Sequence, residues 1–309
     1  MRVEVVKGPL KSIWSTVPLP VRGLIRTMRP KQWPKNGFVF AGLLFDQQLT
    51  EPEPLARVLL AFVLLCLSAS TIYIINDLVD IERDRLHPKK SRRPLPSGQL
   101  PIAWAIAAAI ILPVLALGIS LAYSLPLTLV LVAYLVLHIA YSFWLKNIVL
   151  LDVFAIAAGF VLRVVAGVVV IDVSNFSPWL YVCAGLLALF LAVGKRRQEL
   201  LMLAGDAESH RTTYKDYNLP LLDDMLRMVT TGSVLTYMLY TIESQTIRSN
   251  GHKMLLTVPF VVYGIFRYLY LIHVRGEGSA PDELLFKDLP LLADVIFWVL
   301  SVTLILYVL

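Results

Sequence analysis

Runs of roughly twenty apolar residues recur along almost the whole chain, separated by short polar connections. Wound as a helix, a run of that length crosses the hydrocarbon core of a bilayer. In lipid every backbone polar group must find its partner within the protein, so such runs are committed to helix. Nine are expected, at residues 36–49 (a short one), 55–78, 102–123, 126–145, 148–171, 179–195, 222–243, 254–273 and 289–309. Pro52, Pro54, Pro101, Pro126, Pro178, Pro220 and Pro290 fall near their boundaries, where a residue without an N–H does least harm. Of 309 residues 57% are apolar and 16% charged; soluble domains have about 45–50% and about 25%. The predicted fold class is therefore all-α and polytopic, which excludes a soluble enzyme built round one core.

Basic residues set the expected orientation, because cytoplasmic loops are enriched in Lys and Arg. With nine spans, Arg22, Arg26, Arg29, Lys31 and Lys35, the Arg83–Arg93 stretch, Lys146, the Lys195–Lys215 stretch, Arg275 and Lys287 all fall on one side. That side is read as cytoplasmic, with the N-terminus inside and the C-terminus outside. Arg248 and Lys253 run slightly against the rule. Residues 1–7 lack the apolar core of a signal peptide, so the first span is expected to direct its own insertion. Cys66 and Cys183 lie in separate apolar runs and give neither a disulfide framework nor metal-ligand spacing. The net charge of +6 suits anionic headgroups or phosphorylated substrates. No nucleic-acid partner is expected, and a homo-oligomer is left open.

The chemistry gathers just beyond the second run. Asn76, Asp80 and Asp84 stand four residues apart, which places them on one helix face, with Asp77 beside them. Like charges at that spacing repel. A hard cation relieves the repulsion, and Mg²⁺ characteristically takes one or two carboxylates and completes its shell with phosphate oxygens. His87, Lys90, Arg92 and Arg93 follow directly; arginine grips phosphate bidentately and lysine acts as a point charge. The plainer alternative is a topology-setting loop whose acids pair with its own bases. Acids at the membrane end of a spanning helix favour function.

A second basic segment follows the sixth run: Lys195, Arg196, Arg197 and Glu199, then His210, Arg211, Tyr214, Lys215 and Tyr217. Lys195 and Glu199 form an i, i+4 pair worth only about 0.3–0.5 kcal/mol if exposed. Tyr214 and Tyr217 can hydrogen-bond a phosphate or sugar hydroxyl, and they equally suit an interfacial aromatic belt. Asp152 and Arg163 share one face of the fifth run; for Arg163, a structural partner and a substrate contact weigh the same. Lys31 and Lys35 flank Trp33 ahead of the first run, an anchor pattern within reach of a phosphate. His138, mid-run, reads as a hydrogen-bonded bundle residue.

These segments together resemble the UbiA superfamily of intramembrane prenyltransferases, and within it the decaprenyl-phosphate phosphoribosyltransferase branch. The resemblance rests on Arg29 to Asn36, on Asn76, Asp80 and Asp84, on His87, Lys90 and Arg93, and on Asp152 with Gly159 and Arg163. It continues through Gly194 to Glu199 and Tyr263 to Tyr270, covering nearly everything from residue 24. It implies one transmembrane domain over 24–309, preceded by a cytoplasmic segment 1–23, in the cell (inner) membrane with its active site facing the cytoplasm. It further implies transfer of a 5-phosphoribosyl group from phosphoribosyl pyrophosphate to a polyprenyl phosphate. Asn76, Asp77, Asp80 and Asp84 would hold Mg²⁺ on the pyrophosphate, with Asp77, Asp80 and Asp84 as the catalytic set. Lys31, Lys35, Lys90, Arg93, Arg163, Lys195, Arg196, Glu199, Tyr214 and Tyr217 would contact substrate. Aromatic prenyltransferases of the superfamily carry a second acidic motif where this chain has the basic Lys195–Glu199. A donor with an additional phosphate calls for cations there. Aromatic prenyl transfer is the alternative reading, and a transporter or structural membrane protein the third.

Overall fold

The computed structural model of the chain describes residues 16–88, 90–173, 177–202, 216–243, 251–277 and 281–309. Every regular element among them is helical: α1 (Leu19–Thr27), α2 (Ala41–Phe45), α3 (Pro52–Val79), α4 (Ile81–Leu86), α5 (Ile102–Tyr123), α6 (Leu125–Phe143), α7 (Leu151–Val168), α8 (Pro178–Met202), α9 (Leu219–Thr241), α10 (Val258–His273), α11 (Pro281–Lys287) and α12 (Leu289–Tyr307). Four short 3-10 stretches join them, the longest at Pro30–Phe40.

Seven of the helices are long and apolar enough to cross a membrane: α3, α5, α6, α7, α8, α10 with the 3-10 turn before it, and α12. The chain is thus an integral membrane protein. The other two of the nine expected runs do not meet that measure. Residues 36–49 fold as the end of the 3-10 stretch followed by the single-turn helix α2. Pro34 lies within that stretch and cannot donate to a regular α-helical ladder. Helix α9 has length enough, at 23 residues, but Asp223, Asp224 and Arg227 interrupt its apolar character.

The chain forms two compact units. The first comprises residues 1–34 and 63–123. Its core is Ile74, Leu95, Leu100, Ala105 and Ala108, with Leu24 and Met28 packed against them. Here α1 lies on α5, and the turn after α1 is tied to α3 by Ser70, whose Oγ donates to the Met28 carbonyl at 3.1 Å and accepts from Trp33 Nε1 at 3.2 Å. Arg29 takes a left-handed backbone conformation (φ 54°), which ends α1 and turns the chain into the 3-10 stretch.

The second unit comprises residues 35–62 and 124–309. Helix α8 packs between α7 and α9, and α10 packs on α12. The core runs through Val153, Phe190, Val193, Leu222, Leu226, Tyr268 and Leu271. Tyr307, at the end of α12, donates to the carbonyls of Leu43 and Leu44 at 3.1 Å and accepts from the Leu49 N–H at 3.0 Å. At Gly167, α7 meets the backbone of the 3-10 stretch closely. A Cβ there would lie 1.8 Å from the carbonyl oxygen of Val39. Backbone cannot rotate away, so Gly167→Ala is expected to destabilise the protein by about 3 kcal/mol, at the upper end for overpacking. A lower melting temperature in detergent is the readout. An unchanged one would show that the α7 contact is soft.

Candidate active site

Helix α3 carries the acidic motif at its C-terminal end. Its hydrogen bonding continues through the motif, from Asp80 N–H to the Asn76 carbonyl at 3.0 Å and from Asp84 N–H to the Asp80 carbonyl at 2.8 Å. Asp80 itself is a turn residue between α3 and α4, so the expected single helix face is bent at its centre. Asp77 and Asp84 end up buried, at 2% and 0% exposure, while Asn76 and Asp80 remain half-buried.

Cations converge on those two carboxylates. Arg93 Nη1 donates to Asp84 Oδ2 at 2.6 Å and to Asp77 Oδ1 at 3.2 Å. Arg29 Nη2 donates to the same Asp77 oxygen at 2.6 Å and lies over the Tyr73 ring. Lys90 Nζ stands 3.7 Å from Asp84 Oδ1, a buried oxygen with no hydrogen-bond donor. The structure therefore brings Asp77, Asp84, Lys90 and Arg93 together. It adds Arg29, which sequence reasoning had left outside the site; 48 residues separate it from Asp77, and no local pattern links them. Asp80 takes no part in the Arg93 pairing. Lys31 is exposed.

Whether Mg²⁺ fits can be judged from these donors. Among the described residues no three His, Cys, Asp or Glu side chains converge as a metal cage. Two buried carboxylates, one with an unbonded oxygen, do suit an ion that keeps most of its shell for water and phosphate. The arginines already neutralise both carboxylates, so an incoming cation does best accompanied by an anion that takes the arginines over.

The second unit holds a separate buried charge network. Asp152, at the start of α7, is fully enclosed. Its Oδ2 accepts from Arg196 Nε of α8 at 2.6 Å, and its Oδ1 from the Tyr217 hydroxyl at 2.7 Å. Arg196 is 1% exposed and also donates to Glu199 at 2.5 Å and to the Tyr141 hydroxyl at 3.3 Å. Lys195 lies on the outer side of α8, its Nζ 3.9 Å from Glu199. Arg197 is paired with Asp223, and Asp224 with Arg227. Asp152 thus meets α8, not Arg163, with which it shares a helix.

Arg163 is held elsewhere in this unit. Its Nε donates to Asn36 Oδ1 and its Nη2 to the Tyr134 hydroxyl, both at 2.8 Å. The rings of Tyr134 and Phe160 cover the guanidinium. Such enclosure supports a structural role. Lys35 is half-buried. His138 stacks on Tyr134 and donates from Nδ1 to its carbonyl, in keeping with a bundle residue. Tyr214, with His210, Arg211 and Lys215, lies outside the described residues.

Tyr217, expected at a sugar, is instead 5% exposed, and its oxygen also accepts from the Leu150 N–H at 2.9 Å. Burial, reinforced by its bond to Asp152, holds its hydroxyl well above the usual tyrosine range. A raised folded-state value means the stability it contributes is complete below the unfolded value of about 10 and is lost as pH rises through the folded one. Melting temperature should accordingly fall more steeply above about pH 10 in the parent than in Tyr217→Phe. Parallel curves would remove Tyr217 as the cause.

A family model, the UbiA prenyltransferase family, matches residues 37–287. The decaprenyl-phosphate phosphoribosyltransferase of Corynebacterium glutamicum is 32% identical over 292 residues, covering 93% of this chain and 87% of that protein. The protein of the same name from Mycolicibacterium smegmatis is 32% identical over 311 residues, covering 94% and 92%. In fold, a UbiA homolog from Archaeoglobus fulgidus bound to GPP and Mg²⁺ is similar with a TM-score of 0.70 and 18% identity, across 92% of this chain and 99% of that one. The acidic end of α3, and a family match extending over most of both units, lead to one assignment: the chain belongs to the UbiA prenyltransferase family.

Proposed function

We propose that the chain transfers the 5-phosphoribosyl group of phosphoribosyl pyrophosphate to a polyprenyl phosphate of the decaprenyl type. The observation that carries this reading is the near full-length similarity to two proteins named decaprenyl-phosphate phosphoribosyltransferase. The basic turn of α8 supports it: Arg197 neutralises Asp223, and the exposed charge on that turn is cationic.

In the proposed reaction an ionised oxygen of the lipid phosphate bonds to C1 of the ribose. The C1–O bond to pyrophosphate breaks, and pyrophosphate leaves with the electron pair. The attacking oxygen is already an anion, so no strong general base is needed. Asp77 and Asp84, with Asn76 and Asp80 beside them, would hold Mg²⁺. Bound there, that ion would act as a Lewis acid that offsets charge on the leaving group. Arg29, Lys90 and Arg93 would exchange their carboxylate partners for pyrophosphate oxygens as substrate arrives. Lys195, half-exposed on α8, would answer a substrate phosphate.

Nine membrane crossings, counting residues 36–49 and α9 with the seven apolar helices, belong to the same proposal. So do a cytoplasmic placement of the basic loops, residence in the inner membrane, and operation of residues 24–309 as one catalytic domain behind a segment 1–23. The test is turnover by purified protein with Mg²⁺. Pyrophosphate should appear only when phosphoribosyl pyrophosphate and polyprenyl phosphate are both present. Activity instead with a prenyl diphosphate and an aromatic acceptor would replace this reading with aromatic prenyl transfer. No turnover with either pair would leave a non-enzymatic membrane protein.

A further inference from the structure

Adjacent cations on α8 have opposite surroundings. Arg196 has a side chain only 2% exposed and spends its donors on Asp152, Glu199 and Tyr141. Lys195 has a side chain 41% exposed, and its ammonium stands 3.9 Å from Glu199, beyond hydrogen-bonding distance. Residues four apart on a helix with opposite charge would ordinarily close on each other. Here the pair stays at ion-pair distance without a hydrogen bond, while the other Glu199 oxygen is bound to Arg196 at 2.5 Å. Asp152 fixes the direction of that guanidinium by accepting from Nε, and Tyr217 in turn fixes Asp152.

We infer that Arg196 is a positioning residue that holds Glu199 short of a hydrogen bond to Lys195, and that Lys195 alone on this turn meets substrate phosphate. The inference rests on the phosphoribosyl reading and refines it: the phosphate contact is a single ammonium, held ready by a buried guanidinium. Three partners in three directions need the planar fork of arginine. A lysine at 196 has one point charge and could satisfy Asp152 but not Glu199 at the same time. Glu199 would then turn to Lys195.

The experiment compares the parent with Arg196→Lys, Lys195→Gln, Glu199→Gln and the double variant Arg196→Lys/Glu199→Gln. Two readouts are used: labelling of Lys195 by an amine reagent, located by mass spectrometry, and equilibrium binding of phosphoribosyl pyrophosphate with Mg²⁺. Lys195 should label readily in the parent, slowly in Arg196→Lys, and readily again in the double variant. Binding should weaken about tenfold in Arg196→Lys and in Lys195→Gln, since a charge-assisted hydrogen bond is lost. The double variant should recover it. A purely structural Arg196 would not be rescued by Glu199→Gln, and that failure would overturn the inference. So would unchanged binding in Lys195→Gln. A parent that does not bind phosphoribosyl pyrophosphate would overturn the functional reading instead, while the labelling series still decides whether Arg196 controls Lys195.

Discussion

Asp84→Asn is expected to slow phosphoribosyl transfer by about 10²–10³-fold while leaving the protein folded. Asparagine keeps the volume of a fully buried side chain, and Arg93 retains Asp77 at 3.2 Å when its 2.6 Å bond to Asp84 weakens. What is lost is one negative charge at the place proposed for the cation, beside an oxygen that no donor occupies. The contrasting change is Arg93→Ala, which leaves two enclosed carboxylates short of a partner and should lower stability as well as activity. Turnover in Asp84→Asn within a few-fold of the parent, at an unaltered melting temperature, would take Asp84 out of the reaction.

The second large effect concerns the other buried network. Arg196→Met strands Asp152, which has no access to water, and should cost about 3–5 kcal/mol, the range for breaking a buried ion pair from one side. Adding Asp152→Asn removes the stranded charge, so the double variant should regain more than half of that loss. The Tyr217 hydroxyl would still be able to hydrogen-bond the amide introduced there. Melting temperatures of the four proteins decide it. Additive losses would mean that Arg196 and Asp152 contribute independently, contrary to their 2.6 Å contact.

Composition alone made the helical membrane class legible, and the ends of α5 were read without error, since Pro101 and the polar Ser124 bracket an unbroken apolar run. Residues 36–49 were not legible in the same way: Pro34 and close packing through Gly42 and Gly167 override an apolar composition that reads as a spanning helix. The acidic end of α3 could be found because its members are neighbours in sequence. Its counter-ion Arg29 could not, because Pro30 marks a break after α1 but not the left-handed turn at Arg29 that makes the contact. Periodicity set Asp152 and Arg163 on one face of the fifth run but did not name their partners. The fold gave each a partner from another element, Arg196 for one and Asn36 for the other. Partners separated by 44 and 127 residues are matched by tertiary packing, which a single sequence does not display.

Tyr307 has a bearing on how the protein is made. Its single O–H is shared between the carbonyls of Leu43 and Leu44, and its oxygen accepts from the Leu49 N–H, across an interval of some 260 residues. A ribosome working at about 5–20 residues per second releases the short α2 turn long before the tyrosine that completes its hydrogen bonding. During that interval the irregular backbone of residues 43–49 lacks its native ties, so insertion machinery or lipid headgroups must shelter it. The earliest part of the second unit to leave the ribosome is in this sense among the last to be finished.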